Sequence, residues 1–293
     1  MDLFRSLVMA AALACAGTAH AQALAERADV KAFLEGLHFQ SGTVTVPEAH
    51  ATLKLAPEYR YLGAADAQKV LEQLWGNPPD ADVLGMLLPG GEKALVSEKS
   101  WAVVLTREDE GHVSDADASS TDYDKMLKEM QAATRDSNAE RKKQGYPTVD
   151  LVGWAAKPHY DQASSKIYWA KELKFEGTDS NTLNYDIRVL GRSGYLSLNA
   201  IAPVSELATV ETGMQRVLAM TEFDEGYRYA DFNPSTDKMA AYGVAALVGG
   251  ALASKAGLFA KLLALLVAGK KFVGIAVVGL IALVGKLFGR KKD

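Results

Sequence analysis

The segment 166-KIYWAKELKFEGTDSNTLNYDIRVLGRSGYLSLNAIA-202 decides the fold class. Ile167, Trp169, Leu173 and Phe175 share one parity within the first run, and Leu183, Tyr185, Ile187 and Val189 share one within the second. A period of two marks strands with one face buried. Gly191 to Gly194 then supplies a turn, so the last two runs read as a β-hairpin. Immediately downstream the period changes: Leu207, Val210, Met214, Val217 and Leu218 line one face of a helix. Upstream, Asp122 to Gln144 is a longer helix with Tyr123, Met126, Leu127 and Met130 on one face. Its acidic start and its end at Arg141, Lys142 and Lys143 match the helix dipole, and its very polar opposite face places it on the outside of the body. The expectation is an α+β body with a largely antiparallel sheet and two or three flanking helices.

The first half extends the same pattern. "GTVTV" (Gly42 to Val46) and "ATLKL" (Ala51 to Leu55) are β-rich runs joined through Pro47. Ala64 to Leu74 carries Ala67, Val70, Leu71 and Leu74 at helical spacing and stops before Pro78 and Pro79. Val83 to Leu88 and Trp101 to Leu105 are further apolar runs. The order reads as β-hairpin, helix and β.

Both ends of the chain have a different composition. Arg5, the apolar run Leu7 to Ala14 and Ala19-His20-Ala21 form a signal-peptide pattern, with the mature chain starting near Gln22. A lipoprotein signal using Cys15 is the alternative. Cleavage after Ala21 removes the chain's one cysteine, leaving a core without disulfides. From Met239 the chain turns apolar, with eight Lys/Arg against Asp293, a net of +7. Setting aside Asp2 and Arg5, the region between holds 23 basic and 34 acidic residues, a net of −11. Such an acidic body disfavours nucleic acid, which requires surplus cations. The basic tail favours anionic lipid.

Residues 272–284 carry no charge and precede Lys286, Arg290, Lys291 and Lys292, which can reach lipid headgroups. Met239 to Ser254 is a second uncharged stretch, with small residues suited to close helix contact. The expectation is a C-terminal transmembrane helix or a helical hairpin, the hairpin being preferred. A cleaved sorting tag is a further reading. The domain boundaries are then 1–21 for the signal, 22–238 for the body, with a subdivision near 108–148 as an alternative, and 239–293 for the anchor.

"LWGNPP", "SDADA", "RKKQGYP", "VGWAAKPHYD", "YWAKELKF", "LNYDIRVLGR" and "YRYADFNPSTDKMAAYG" resemble the bacterial family of predicted membrane-anchored proteins called domain of unknown function 2167. The resemblance runs from about Gly42 to the tail. It implies an envelope location and an anchored architecture, and it brings no catalytic or ligand-binding residues with it.

Four clusters are candidates for chemistry. Asp115 and Asp117 have the spacing of a cation loop, but an EF-hand from Asp115 would need glycine and glutamate where Ser120 and Met126 stand. A capped turn is the plainer reading. His159 and Asp161 could form an acid/base pair, against a structural histidine in a turn after Pro158. No nucleophile motif accompanies them, and the histidines show no zinc spacing. Trp154, Tyr160, Tyr168 and Trp169 could line a ligand site or pack as core. Tyr227, Tyr229 and Phe232, just before the tail, read as an aromatic belt at the membrane interface or as a joint coupling body to bilayer.

The functional expectation is a protein of the bacterial inner membrane with its main domain in the periplasm, acting as a binding or protein-interaction module. Its expected partners are the lipid bilayer and either another envelope protein or a small ligand. No cofactor is expected, except a divalent cation if the protein is instead a cation-responsive sensor using Asp115 and Asp117. An envelope hydrolase using His159 and Asp161 is the enzymatic alternative.

Overall fold

A computed structural model describes residues 28–75, 79–96, 101–143 and 147–249. Its centre is an eight-stranded sheet in the order β1-β4-β5-β6-β11-β10-β9-β8. The strands are β1 (Phe39–Gln40), β4 (Tyr59–Gly63), β5 (Val83–Pro89), β6 (Ala102–Glu108), β8 (Val149–Asp161), β9 (Lys166–Phe175), β10 (Thr182–Leu190) and β11 (Tyr195–Pro203). Every pairing in it is antiparallel. The hairpin read around Gly191 to Gly194 is present, with Leu190 opposite Tyr195 and Thr182 opposite Pro203.

The first face of this sheet packs on helix α4 (Leu207–Met220) and on a small three-stranded sheet. That small sheet holds β2 (Thr43–Val46), β3 (Ala51–Lys54) and β12 (Thr221–Phe223). The hairpin expected from "GTVTV" and "ATLKL" therefore forms, but as a layer over the large sheet rather than as part of it. Leu183, Tyr185, Ile187 and Val189 of β10 meet Leu196, Leu198 and Ala200 of β11 and Val210, Met214 and Val217 of α4. Gly213 lets the helix approach closely, since a Cβ there would overlap the Trp101 ring. Lys166, almost wholly buried, donates to the Leu218 carbonyl near the end of α4 at 2.5 Å, where a cation meets the negative end of the helix dipole.

The second face is covered at its two ends by different elements. Over β4, β5 and β6 lie α1 (Ala28–Glu35) and α2 (Ala64–Lys69), the latter continuing as a π-helical turn through Leu74. Over β9 and the adjoining ends of β10 and β11 lie helix α5 (Val244–Gly249) and strand β7 (His112–Ser114). β7 pairs in parallel with β13 (Met239–Gly243). Helix α3 (Tyr123–Lys143) runs along the edge strand β8. Its polar side chains occupy backbone groups there: Asn138 both donates to and accepts from Val149 at 2.9 Å, and Gln131 donates to the Val152 carbonyl at 3.0 Å. An edge strand left open would invite pairing with another chain.

The apolar stretch expected to start a helix at Met239 instead begins as β13. Ala240 and Tyr242 turn inward, and the absence of a Cβ at Gly243 leaves room for the Asp117 carboxylate. The folded body thus continues through Gly249, beyond the boundary expected at 238. Among the described residues no helix is long and apolar enough to cross a membrane. The expected signal, the apolar run 272–284 and Lys286, Arg290, Lys291 and Lys292 lie outside the described residues.

Candidate binding face

The residues that alternate with the core positions of β10 are Asn184, Asp186 and Arg188, and on β11 they are Ser197 and Asn199. They lie on the second face, between its two coverings. The register builds rows across the strands: Val104, Asn199, Asp186 and Trp169 form one, and Thr106, Ser197, Arg188 and Ile167 the next. Asn184 stands opposite Lys171. A polar strip therefore crosses three adjacent interior strands of the sheet, β11, β10 and β9.

Asp186 is its centre and is 3 % exposed. Its Oδ1 accepts from Arg188 Nη1 at 3.2 Å and from Asn199 Nδ2 at 2.9 Å, and Lys171 Nζ lies 3.3 Å from Oδ2. Asn184 donates to Asn199 Oδ1 at 3.3 Å, which fixes the amide that serves Asp186. Burial alone would raise the Asp186 pKa; Lys171, Arg188 and Asn199 outweigh it and hold the carboxyl below the usual range. Arg188 lies over the rings of Trp169 and Tyr195, at 5.1 and 5.8 Å from their centroids. Both its bonds to Asp186 and to the Ile187 carbonyl use Nη1. Trp169 Nε1, also buried, has no hydrogen-bond partner, and Asp186 Oδ2 has the Lys171 ammonium as its neighbour.

The aromatic residues singled out from sequence divide between the faces. Trp154, Tyr160 and Trp169 share the second face, whereas Tyr168 packs toward the first. Trp154 donates to the Tyr123 carbonyl at 3.2 Å and Tyr160 to Asp115 at 2.8 Å. Trp169 touches the polar strip through Arg188, and Trp154 stands opposite Lys171 across the β8–β9 pairing.

No hydrogen bond joins His159 to Asp161 among the described residues, although the imidazole is close enough to help lower the Asp161 carboxyl. Asp161 closes its own turn, accepting from Ser164 Oγ at 2.6 Å and from the Ala163 amide at 3.0 Å, and these bonds keep its carboxyl low. His159 is exposed beside Tyr168, with ring centroids 5.2 Å apart. Asp115 and Asp117 are engaged in packing: Asp115 accepts from Tyr160, and Asp117 Oδ1 accepts from the Ala245 amide at 3.3 Å, at the start of α5. No group of three His, Cys, Asp or Glu suited to a metal ion occurs among the described residues.

The aromatic motif before the tail packs on two histidines. His112 is stacked between Tyr229 and Phe232, with centroids 4.3 and 3.9 Å away, and Tyr227 stacks on His50 at 3.9 Å. Tyr229 donates to the Val113 carbonyl at 2.9 Å, and Arg192 grips Asp237 with two bonds of 2.7 and 2.9 Å. The segment is thus fastened to the body, with Tyr227 40 % exposed.

Sequence reasoning read the apolar parity of β10 and β11 and passed over the other. The available signal was "N-D-R" alternating with core residues in a strand flanked by strands on both sides, where polar groups would be buried.

Among curated proteins, no sequence matches this one. Two solved structures show a faint likeness. The PsbP protein of the cyanobacterium Synechocystis (CyanoP) has 8 % identity and a TM-score of 0.35, covering 64 % of this chain and 92 % of its own. The Saccharomyces cerevisiae Ran-binding protein Mog1p has 7 % identity and a TM-score of 0.35, covering 68 % of this chain and 100 % of its own. Resemblance at that level bears on neither activity nor partner. The family model "Protein of unknown function (DUF2167)" matches residues 38–282, from the first strand of the body into the apolar tail, and this chain belongs to that family.

Proposed function

We propose that this protein is a membrane-anchored binding module of the bacterial envelope, with its body in the periplasm and its apolar tail in the inner membrane. The observation that carries the binding role is the Lys171–Asp186–Arg188 cluster on the interior strands β9 and β10. Charged groups in that position cost several kcal/mol to desolvate, and an apolar replacement would serve stability equally well. Their retention beside an unpartnered indole N–H fits recognition better than packing. The anchored location is supported by the uncharged run 272–284 with its basic end and by the signal pattern before Gln22. The joint around His112, Arg192 and Asp237 would then hold the body in a fixed attitude to the bilayer.

The test is native mass spectrometry of the full-length protein, extracted in mild detergent from the membranes of its own cells. The expected result is recovery from the membrane fraction with a bound small molecule that is lost in Lys171→Met. Recovery from the soluble fraction would contradict anchoring, and a bare protein in every preparation would contradict a retained ligand.

A further inference from the structure

The geometry points to the strip around Asp186 as a site for an oxyanion, a carboxylate or phosphoryl group carried by a small ligand. This inference rests on the binding role proposed above and names the chemistry of its ligand.

The strip leaves more donors than acceptors. Lys171 carries an ammonium and Arg188 a guanidinium, both donors only, and the Trp169 indole is likewise donor only. Against them stands one buried carboxylate, Asp186, whose Oδ1 is already served by Arg188 and Asn199. Asn184 spends an amide N–H on Asn199 rather than on any ligand. What remains is donor capacity: the buried Trp169 Nε1–H, the ammonium N–H groups not turned to Asp186, and the guanidinium N–H groups not engaged by Asp186, the Ile187 carbonyl or the Tyr195 hydroxyl. The two cations outweigh Asp186 by one positive charge, and the next carboxylate on this face, Glu108, stands opposite Tyr195 rather than in the cluster. A cationic ligand would be repelled and a neutral one would leave the surplus charge unmatched, whereas an oxyanion supplies both the countercharge and the acceptors these donors lack.

The cations are also reachable. The Lys171 and Arg188 side chains keep 23 % and 15 % exposure while Asp186 keeps 5 %. Asp186 therefore acts as the internal counter-ion that fixes the two cations, and the rings of Trp169 and Tyr195 hold the guanidinium in place. A planar carboxylate and a tetrahedral phosphoryl group both fit this donor set, and the experiment separates them.

The experiment is thermal unfolding of the full-length protein in detergent, titrated with sodium acetate or inorganic phosphate at an ionic strength held constant with sodium chloride. An anion at about ten times its dissociation constant raises the midpoint by roughly 3–6 °C. The expected result is a saturable rise with at least one anion, at least halved in Lys171→Met and in Arg188→Gln and unchanged in Lys157→Met, which removes an exposed cation on β8. A response to acetate alone assigns a carboxylate, and a response to phosphate alone assigns a phosphoryl group. Should Arg188→Gln fail to fold, the more exposed Lys171→Met decides the matter. Absence of any rise beyond the chloride control overturns the inference, as does a rise that survives in the cluster variants. A neutral molecule co-purifying with the protein, without any anion response, would remove the oxyanion reading and leave the binding role standing.

Discussion

Replacing Asp186 by asparagine keeps its shape and removes its charge, leaving Lys171 and Arg188 with no counter-ion. Removing one member of a buried ion pair costs roughly 3–5 kcal/mol, because the other charge stays desolvated. Here the stranded cations keep 23 % and 15 % of their side-chain exposure, and that partial hydration lowers the expected loss to about 2–4 kcal/mol at neutral pH. For a body of this length the midpoint should fall by roughly 4–16 °C. The assay is thermal unfolding followed by tryptophan fluorescence, with urea unfolding as a check. A companion variant, Asp186→Leu with Lys171→Met and Arg188→Met, removes all three charges and should lie within about 1 kcal/mol of the parent or above it. The acid limb provides a second reading. The folded Asp186 carboxyl lies below its unfolded value, so its stabilisation is present above about pH 4 and is lost as pH falls through the folded pKa. Asp186→Asn should flatten that part of the profile. A loss under about 1 kcal/mol for Asp186→Asn would refute the reasoning, since it would mean that the carboxylate does not neutralise the two cations.

Other consequences reach different parts of the molecule. Gly194→Ala should destabilise by about 1–3 kcal/mol in urea unfolding, because its Cβ would overlap the Glu108 carbonyl and the backbone would have to move. Burial pushes the His112 imidazole down, with the carbonyls of Arg192 and Gly191 and the charges of Asp115 and Asp237 opposing; the nearby Arg192 is neutralised by Asp237. The unfolded chain therefore takes up this proton first, so stability should decline as pH falls below about 6.5, and His112→Gln should make the midpoint less sensitive to pH there. Asn138→Ala removes both side-chain bonds to Val149 on the edge strand. Hydrogen exchange of the Val149 amide should accelerate by about 5–30-fold, with little change at Leu183 in the central hairpin.

Much of the architecture was legible because strand parity and helix periodicity were strong. Leu183 to Val189 and the turn at Gly191 to Gly194 marked the central hairpin, and the charge order of residues 122–144 marked α3. The placement of "GTVTV" and "ATLKL" in a separate layer was not legible, since alternation tells which face is buried but not against what. Met239 to Gly243 shows the same limit. Its composition suits an apolar helix, and its strand conformation depends on pairing with β7, more than a hundred residues upstream. Of the candidate residues chosen for their chemistry in isolation, Asp161, Asp115 and Asp117 are spent on turns and packing, while His159 is exposed beside Tyr168. Those forming the strip come from three strands and become neighbours only through register. Trp169 was singled out for its aromatic character, and its link to Arg188 and Asp186 needed the sheet.

The central claim is that the strip binds a ligand through donors left free in the folded protein. Its most direct test is the indole N–H spectrum of the full-length protein labelled with nitrogen-15 in detergent, recorded during titration with acetate and with phosphate. The chain has four tryptophans, and Trp169→Phe assigns the resonance of interest. The account predicts that the Trp169 signal moves saturably downfield as its N–H gains an acceptor, while that of Trp101, buried on the opposite face, stays in place. A Trp169 signal that stays fixed, or one that shifts together with Trp101 in proportion to salt alone, would contradict it.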